Sequence, residues 1–335
     1  MATSSLDMSK LADKLKENVA DYSKIFFLKQ SNGFNVKKDR LFTGFQVRDK
    51  VPLIRSSTDP MLQPGRKGGA PNYKGGVALA NREAGLLPFQ ANLKLDEKQL
   101  YAWSKTYLAK RRPTDSSDIY SFEAMNWYME QVFRQCAKDV HGAIYKGVHD
   151  AQGDSHVDIV DGLEILFEQG IAPAGSVAGA VGDIPAGNVV AAAATINASN
   201  VLSELQKLGM AFFETMDEPL EENGILALDP MHIVYITQAL DAQLSNNAQI
   251  VYRENGVLRL AMLPNVTIEP RSWLKGTDKQ LLTVEGNLAV LGPEDTTEDI
   301  PSIKVEQSER TIKLFLDGEM GINYCDGRVL FMNDK

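Results

Sequence analysis

Four histidines, His141, His149, His156 and His232, and two cysteines, Cys136 and Cys325, are the chain's stock of nucleophiles and soft metal ligands. The densest group is His149-Asp-Ala-Gln-Gly-Asp-Ser-His-Val-Asp158. Imidazole and carboxylate donors of this kind could hold a divalent cation, but the spacing matches neither an EF-hand loop nor HExxH. The plain alternative is a polar loop that ends a helix. Asp217, Glu218, Glu221 and Glu222 crowd around Pro219. Acid/base work by paired carboxylates needs one of them in an apolar pocket with a raised pKa. Four crowded carboxylates read instead as a solvated turn or an inter-copy contact. Cys136 falls on the apolar face of a helical stretch and reads as a buried core thiol. Cys325 lies in a turn with no histidine close in sequence, and the two cysteines offer neither a disulfide framework nor zinc spacing. Neither GxxxxGK[ST] nor a strand–GxGxxG–helix unit occurs. The glycines at 65, 68, 69, 75 and 76 precede no helix start that could collect a phosphate, so they read as turn chemistry. Trp103, Trp127 and Trp273 read as core or interface anchors. No catalytic residue, metal or cofactor is expected.

The distribution of charge is more informative. Residues 37–112 carry 16 Lys/Arg against 6 Asp/Glu, residues 1–36 carry 5 against 4, and residues 113–335 carry 14 against 34. The net charge is −9 and the pI about 5.1. One end of the chain should therefore attract the other end of a second copy. Net acidity argues against general nucleic-acid affinity, which rests on phosphate neutralisation; only the basic stretch weakens that objection. Its middle, Asp59 to Gly76, is Gly and Pro punctuation with Arg66, Lys67 and Lys74 set into it and few apolar residues beyond Met61, Leu62 and Tyr73. Hydrophobic residues make up 44% of the chain, enough for a substantial core. The N-terminus lacks signal-peptide order, and no apolar run approaches the roughly 20 residues that span a bilayer. A soluble cytosolic chain is expected.

The elements that position these residues follow from periodicity. Leu6, Leu11, Leu15, Val19, Tyr22 and Ile25–Leu28 recur near period 3.6, which predicts a helical arm that docks on something or an ordinary surface helix of the same domain. Leu41–Val51 and Leu86–Leu95 read as strands flanking the Gly/Pro-rich tip, a two-stranded excursion that needs a surface to lie on. Asp96, with Gln99 three residues on, starts a helix that Pro113 stops. From Asp118 to Val148 apolar positions run without Pro and without Gly before Gly142, predicting a rod of roughly 45 Å. A short helix is expected at 158–170 and another at Asn200–Glu218. Residues 173–196 read as an Ala/Gly/Val-rich loop entering a strand. Apolar runs Ile225–Leu228 and Ile233–Thr237 straddle Asp229-Pro230. Strands are expected at Val257–Leu263, Val266–Ile268, Leu281–Val284, Leu288–Leu291, Ile303–Gln307, Thr311–Gly321 and Arg328–Asn333. No internal repeat is present.

This order of elements resembles the major capsid proteins of tailed bacteriophages, the Hong Kong 97 phage-type fold. The stretch Ser302 to Leu330 is the most family-like, reading as the terminal strands of such proteins. The resemblance implies an α+β fold with an N-terminal arm at 1–35 and an extended loop at 36–95. It further implies a peripheral domain with a spine helix at 96–157, an axial domain at 158–291, and closing strands of the peripheral domain at 292–335. It implies a non-enzymatic shell protein of the virion capsid, assembled in the host bacterial cytoplasm from pentamers and hexamers around double-stranded DNA held without sequence specificity. A portal and no membrane go with it, and a separate scaffolding protein, or none, is implied because the N-terminal segment is too short for the scaffolding segment that some members remove. Arg66, Lys67, Tyr73 and Lys74, at the loop tip, are the implied inter-subunit contacts. Some members bond a loop lysine covalently to a neighbour's asparagine; Lys67 or Lys74 with Asn323 or Asn333 would be the counterparts, but most members do without such a bond and none is expected here. Three other readings stay open: a protein-loaded nanocompartment of the same fold, a tail or connector ring, and an acidic metal-dependent hydrolase using the carboxylates near Glu218 or the 149–158 loop.

Overall fold

The computed structural model describes residues 7–31, 33–58, 75–110, 120–176, 179, 181–243, 250–294 and 303–335. In chain order the elements begin with α1 (Met8–Glu17), α2 (Val19–Ser31), β1 (Phe42–Val47), β2 (Lys50–Thr58), β3 (Val77–Gly85) and β4 (Leu87–Asp96). Next come α3 (Glu97–Lys110), α4 (Phe122–Lys146), α5 (Leu163–Ile171), β5 (Val189–Val190), α6 (Val201–Thr215), β6 (Gly224–Leu228) and α7 (Pro230–Gln243). The chain finishes with β7 (Val251–Glu254), β8 (Val257–Leu260), β9 (Leu263–Pro270), β10 (Gln280–Val284), β11 (Leu288–Pro293), β12 (Ile303–Ser308), β13 (Thr311–Tyr324) and β14 (Leu330–Asn333). The contacts divide the chain into two compact units, one of residues 1–48, 86–165 and 290–322, the other of residues 49–85, 166–289 and 323–335.

The first unit is built on a five-stranded sheet ordered β1-β11-β13-β12, with β4 also paired to β13. β4 and β13 run antiparallel from Thr311 opposite Asp96 to Met320 opposite Leu87. The alternation read from sequence is real: Leu87, Phe89, Ala91, Leu93 and Leu95 are more buried than the residues between them. Helix α4 is the rod, 25 residues long and so roughly 37 Å, shorter than the 31-residue expectation. Ser121 caps it by accepting from the Ala124 N–H at 3.3 Å. Met125, Met129, Phe133, Cys136, Val140 and Ile144 form its buried stripe. The helix from 8 to 31 is in fact two, broken at Asn18, whose N–H bonds back to Leu15 and Lys16. Met8, Leu11, Ala12 and Leu15 of α1 are buried against β12 and α4 of the same unit, the ordinary-helix alternative. After α2 the backbone turns through three successive positive φ angles, Gly33 at 54°, Phe34 at 49° and Asn35 at 76°. A Cβ at Gly33 would strike Val290. The uncommon conformation of Phe34 is held by its burial, with ring centroids 5.9 Å from Phe26 and 6.2 Å from Phe89.

The second unit is built on a seven-stranded mixed sheet ordered β5-β14-β10-β6-β9-β8-β7. Helices α6 and α7 cover one apolar face, where Phe212 meets Phe331 edge-on at 5.2 Å. One apolar run left unassigned in the sequence is settled here, and one expectation is corrected. Ile233–Thr237 is helix, within α7, because Pro230 supplies the fixed φ of a first helical position and Asp229 Oδ1 accepts from the Met231 N–H at 2.6 Å. The run is too short for periodicity to distinguish strand from helix. Leu330–Asn333, expected among the closing strands of the first sheet, pairs with β10 of the second, Leu281 opposite Met332. Its four residues are all buried, as suits a strand held between two neighbours.

A third sheet, the ribbon β2–β3, belongs to the second unit, with Lys50 opposite Gly85 and Thr58 opposite Val77. The strands that flank the tip are therefore these, and not β1 and β4, whose edges are taken by β11 and β13.

Candidate inter-subunit surface

The loop-tip residues singled out from sequence, Arg66, Lys67, Tyr73 and Lys74, lie outside the described residues, as does Pro113. The other candidates can be placed. Asp158 and Ser155 form a reciprocal capping box: the Ser155 N–H donates to Asp158 Oδ2 at 2.9 Å and Ser155 Oγ accepts from Val157 at 3.5 Å. Asp150 accepts from the Gln152 N–H at 2.9 Å, and the His149 N–H donates to Asp161 at 2.9 Å. These carboxylates are occupied by backbone donors, as in a loop that ends a helix. Among the described residues no group of three His, Cys, Asp or Glu side chains is placed to hold a metal ion. Asp217, Glu218, Glu221 and Glu222 are exposed on a turn, which Asn265 ties down by donating to the carbonyls of Pro219 and Glu222. Cys136 is buried in α4, and burial pushes its thiol up to about 11. Burial also raises Cys325, with Asp326 adding to the effect. Both thiols are thereby kept from the reactive thiolate form. Trp103 and Trp127 pack edge-on at 6.5 Å between α3 and α4, and Trp273 is buried.

Within the first unit β4, β13, α4 and the 149–159 loop enclose a groove of about 1710 Å³. Carboxylates dominate its charged lining: Asp139, Asp150, Asp154, Asp158, Glu294, Asp317 and Glu319 stand against Arg48, with His149 and His156 also on the wall. Such a one-sign, concave surface focuses potential and suits a cationic occupant.

In the second unit the ribbon carries a buried cation that sequence reasoning passed over. Arg82, on β3, is 7% exposed. Its Nε donates to Asn323 Oδ1 at 2.7 Å and its Nη1 to the Tyr324 hydroxyl at 2.5 Å. Asp183 lies 3.5 Å from Nη1 and accepts from the Tyr324 hydroxyl at 2.5 Å. Asn323 and Asn333, the asparagines named for a covalent bond, are both buried and engaged within the chain: Asn323 with Arg82, Asn333 with the Gln280 N–H and the Asp278 carbonyl. In contrast, Ile54 and Val77 on the ribbon are 64% and 63% exposed, large apolar side chains with little cover of their own.

No protein-family model matches the chain, and no curated protein matches it in sequence. Solved structures do match in fold. The chain is similar to one in the procapsid of satellite phage P4, a structure that includes the size-determination protein, with a TM-score of 0.55 and 11% identity over 95% of this chain and 98% of that one. It is similar to a chain of the cyanophage A-1(L) capsid asymmetric unit, with a TM-score of 0.53 and 9% identity over 86% of this chain and 87% of that one. A chain of the capsid of Myoviridae phage XM1 matches with a TM-score of 0.50 and 10% identity over 89% and 90%. The α+β architecture is thus of the phage-capsid kind.

Proposed function

We propose that this chain is the repeating subunit of a closed shell, the major capsid protein of a phage head that encloses double-stranded DNA. The observation that carries the reading is the fold likeness to the phage P4 procapsid chain over 95% of the chain. On this reading α4 is the spine helix, the unit with the five-stranded sheet is the peripheral domain, and the seven-stranded sheet with α6 and α7 is the axial domain. The ribbon is the root of the extended loop, and its tip, with Arg66, Lys67, Tyr73 and Lys74, lies on a neighbouring copy. The acidic groove of the first unit is the surface whose charge suits that basic tip. Exposed Ile54 and Val77 supply apolar area for the same contact. Each exposed ion pair contributes only about 0 to 1 kcal/mol, so cohesion comes from many repeats of each contact in pentamers and hexamers. A portal, a separate scaffolding protein and packaged DNA complete the set of partners, and the shell assembles in the host cytoplasm.

Light scattering and negative-stain microscopy of the purified chain test this. Closed icosahedral shells are expected. Rings or tubes would favour a connector, shells filled with protein cargo a nanocompartment, and a stable monomer with metal-dependent turnover a hydrolase.

A further inference from the structure

The β2–β3 ribbon is two strands wide, and a hairpin of that width is marginal in water unless something outside it holds it in place. Among the described side chains on it, Leu53 and Ala84 are buried, while Ile54, Glu83 and Val77 are exposed. The remaining inward-facing group is a cation. We propose that Arg82 is the positioning residue of the ribbon, a latch at its root that sets the direction in which the loop leaves the second unit.

The geometry is directional on every side. The planar fork of Arg82 spends its donors on Asn323 Oδ1, the Tyr324 hydroxyl and, at 3.5 Å, the Leu166 carbonyl, none of which belongs to the ribbon. Its guanidinium carbon also sits 4.1 Å from the centroid of the Tyr324 ring. Asp183 supplies the counter-charge and, through the Tyr324 hydroxyl, fixes the ring that the arginine covers. Asn323 completes the clamp by donating from Nδ2 to the Glu83 carbonyl of the ribbon at 3.5 Å. Gly170 makes room: a Cβ there would collide with the Tyr324 hydroxyl. A lysine could supply the charge but not the planar fork.

Direction matters because the strands run on for roughly 17 Å beyond Arg82, from 82 to 77. A tilt of about ten degrees at the root would displace the far end by about 3 Å, the length of a hydrogen bond. The latch is a property of the isolated chain. Only its consequence for assembly rests on the shell reading.

Hydrogen–deuterium exchange of the full unassembled chain tests it, comparing residues 50–58 and 77–85 with the seven-stranded sheet. Arg82→Met should raise exchange in the ribbon about tenfold or more while the sheet stays protected. Arg82→Lys should restore part of that protection, and Asn323→Ala should give an intermediate loss. If Arg82→Met does not fold, the Asn323→Ala comparison decides alone. Ribbon exchange unchanged, or rising only in step with the sheet, would overturn the proposal. A chain that never forms shells but shows the expected exchange pattern would retain the latch and lose the shell reading.

Discussion

The side-chain amide of Gln30, at the end of α2, fills the space that a Cβ would occupy at Gly318 in the middle of β13. Gln30 is fully buried, and its amide has no hydrogen-bond partner among the described residues. The helix and the strand approach this closely because position 318 has no side chain.

Gly318→Val should therefore force Gln30 and Phe89 aside and cost about 1 to 3 kcal/mol. Gln30→Met, which keeps the volume and removes an unpaired amide, should be neutral or stabilising. Urea denaturation of both variants checks the pair. Equal stability of Gly318→Val and the parent would show that the packing is looser than this.

Val132 is 6% exposed on α4. Val132→Asp buries a carboxylate with no partner and should cost several kcal/mol, leaving little soluble chain. Joint alanine substitution of His149, Asp154, His156 and Asp158 should leave the subunit folded, at the expense of one capping box worth about 1 kcal/mol, and should weaken assembly only as far as two fewer groove carboxylates allow. Loss of a measurable turnover in the four-alanine variant, with shells intact, would bring the hydrolase back.

Arg66→Glu combined with Lys67→Glu should reduce shell yield about tenfold or more without changing the melting temperature of the monomer, given the Coulombic share of repeated contacts. Salt should weaken assembly in the parent, since the Debye length falls from about 10 Å at 0.1 M to about 3 Å at 1 M. Sedimentation across a salt series reads both. Normal shells from the double variant at every salt concentration would rule out the electrostatic contact.

Burial pushes Tyr22 and Tyr128 up to about 12 and Cys136 to about 11, from 10.0 and 9.0 respectively. Raised folded-state values mean that the protonated forms are favoured by folding. Their contribution is fully present below about pH 9 and is lost as pH rises through 11 to 12. The urea midpoint should thus fall steeply between pH 9 and 11.5, and Cys136→Ala should remove the earliest part of that fall. A flat alkaline profile would show that these groups titrate as freely in the folded state as in the unfolded chain.

Much of the fold was legible in the residues. Gln99 does reach back to the Asp96 N–H, at 3.0 Å, because a capping box is a property of four consecutive residues. The buried stripe of α4 and the alternation of β4 follow from periods of 3.6 and 2 that need no partner to be read. The uneven charge of the chain, and with it the candidate cationic segment at 59–76, is likewise a sum over residues. The tertiary structure alone decided which sheet received β14, that the ribbon is β2 with β3, and that Ile233–Thr237 is helix. In each case the local pattern suits more than one answer, and the choice is made by which distant edge or apolar face is vacant when the sheets close. Arg82 shows the same division most sharply. In sequence it is one more cation in a basic stretch, and only the return of residues 323 and 324, about 240 positions later, makes it a buried one.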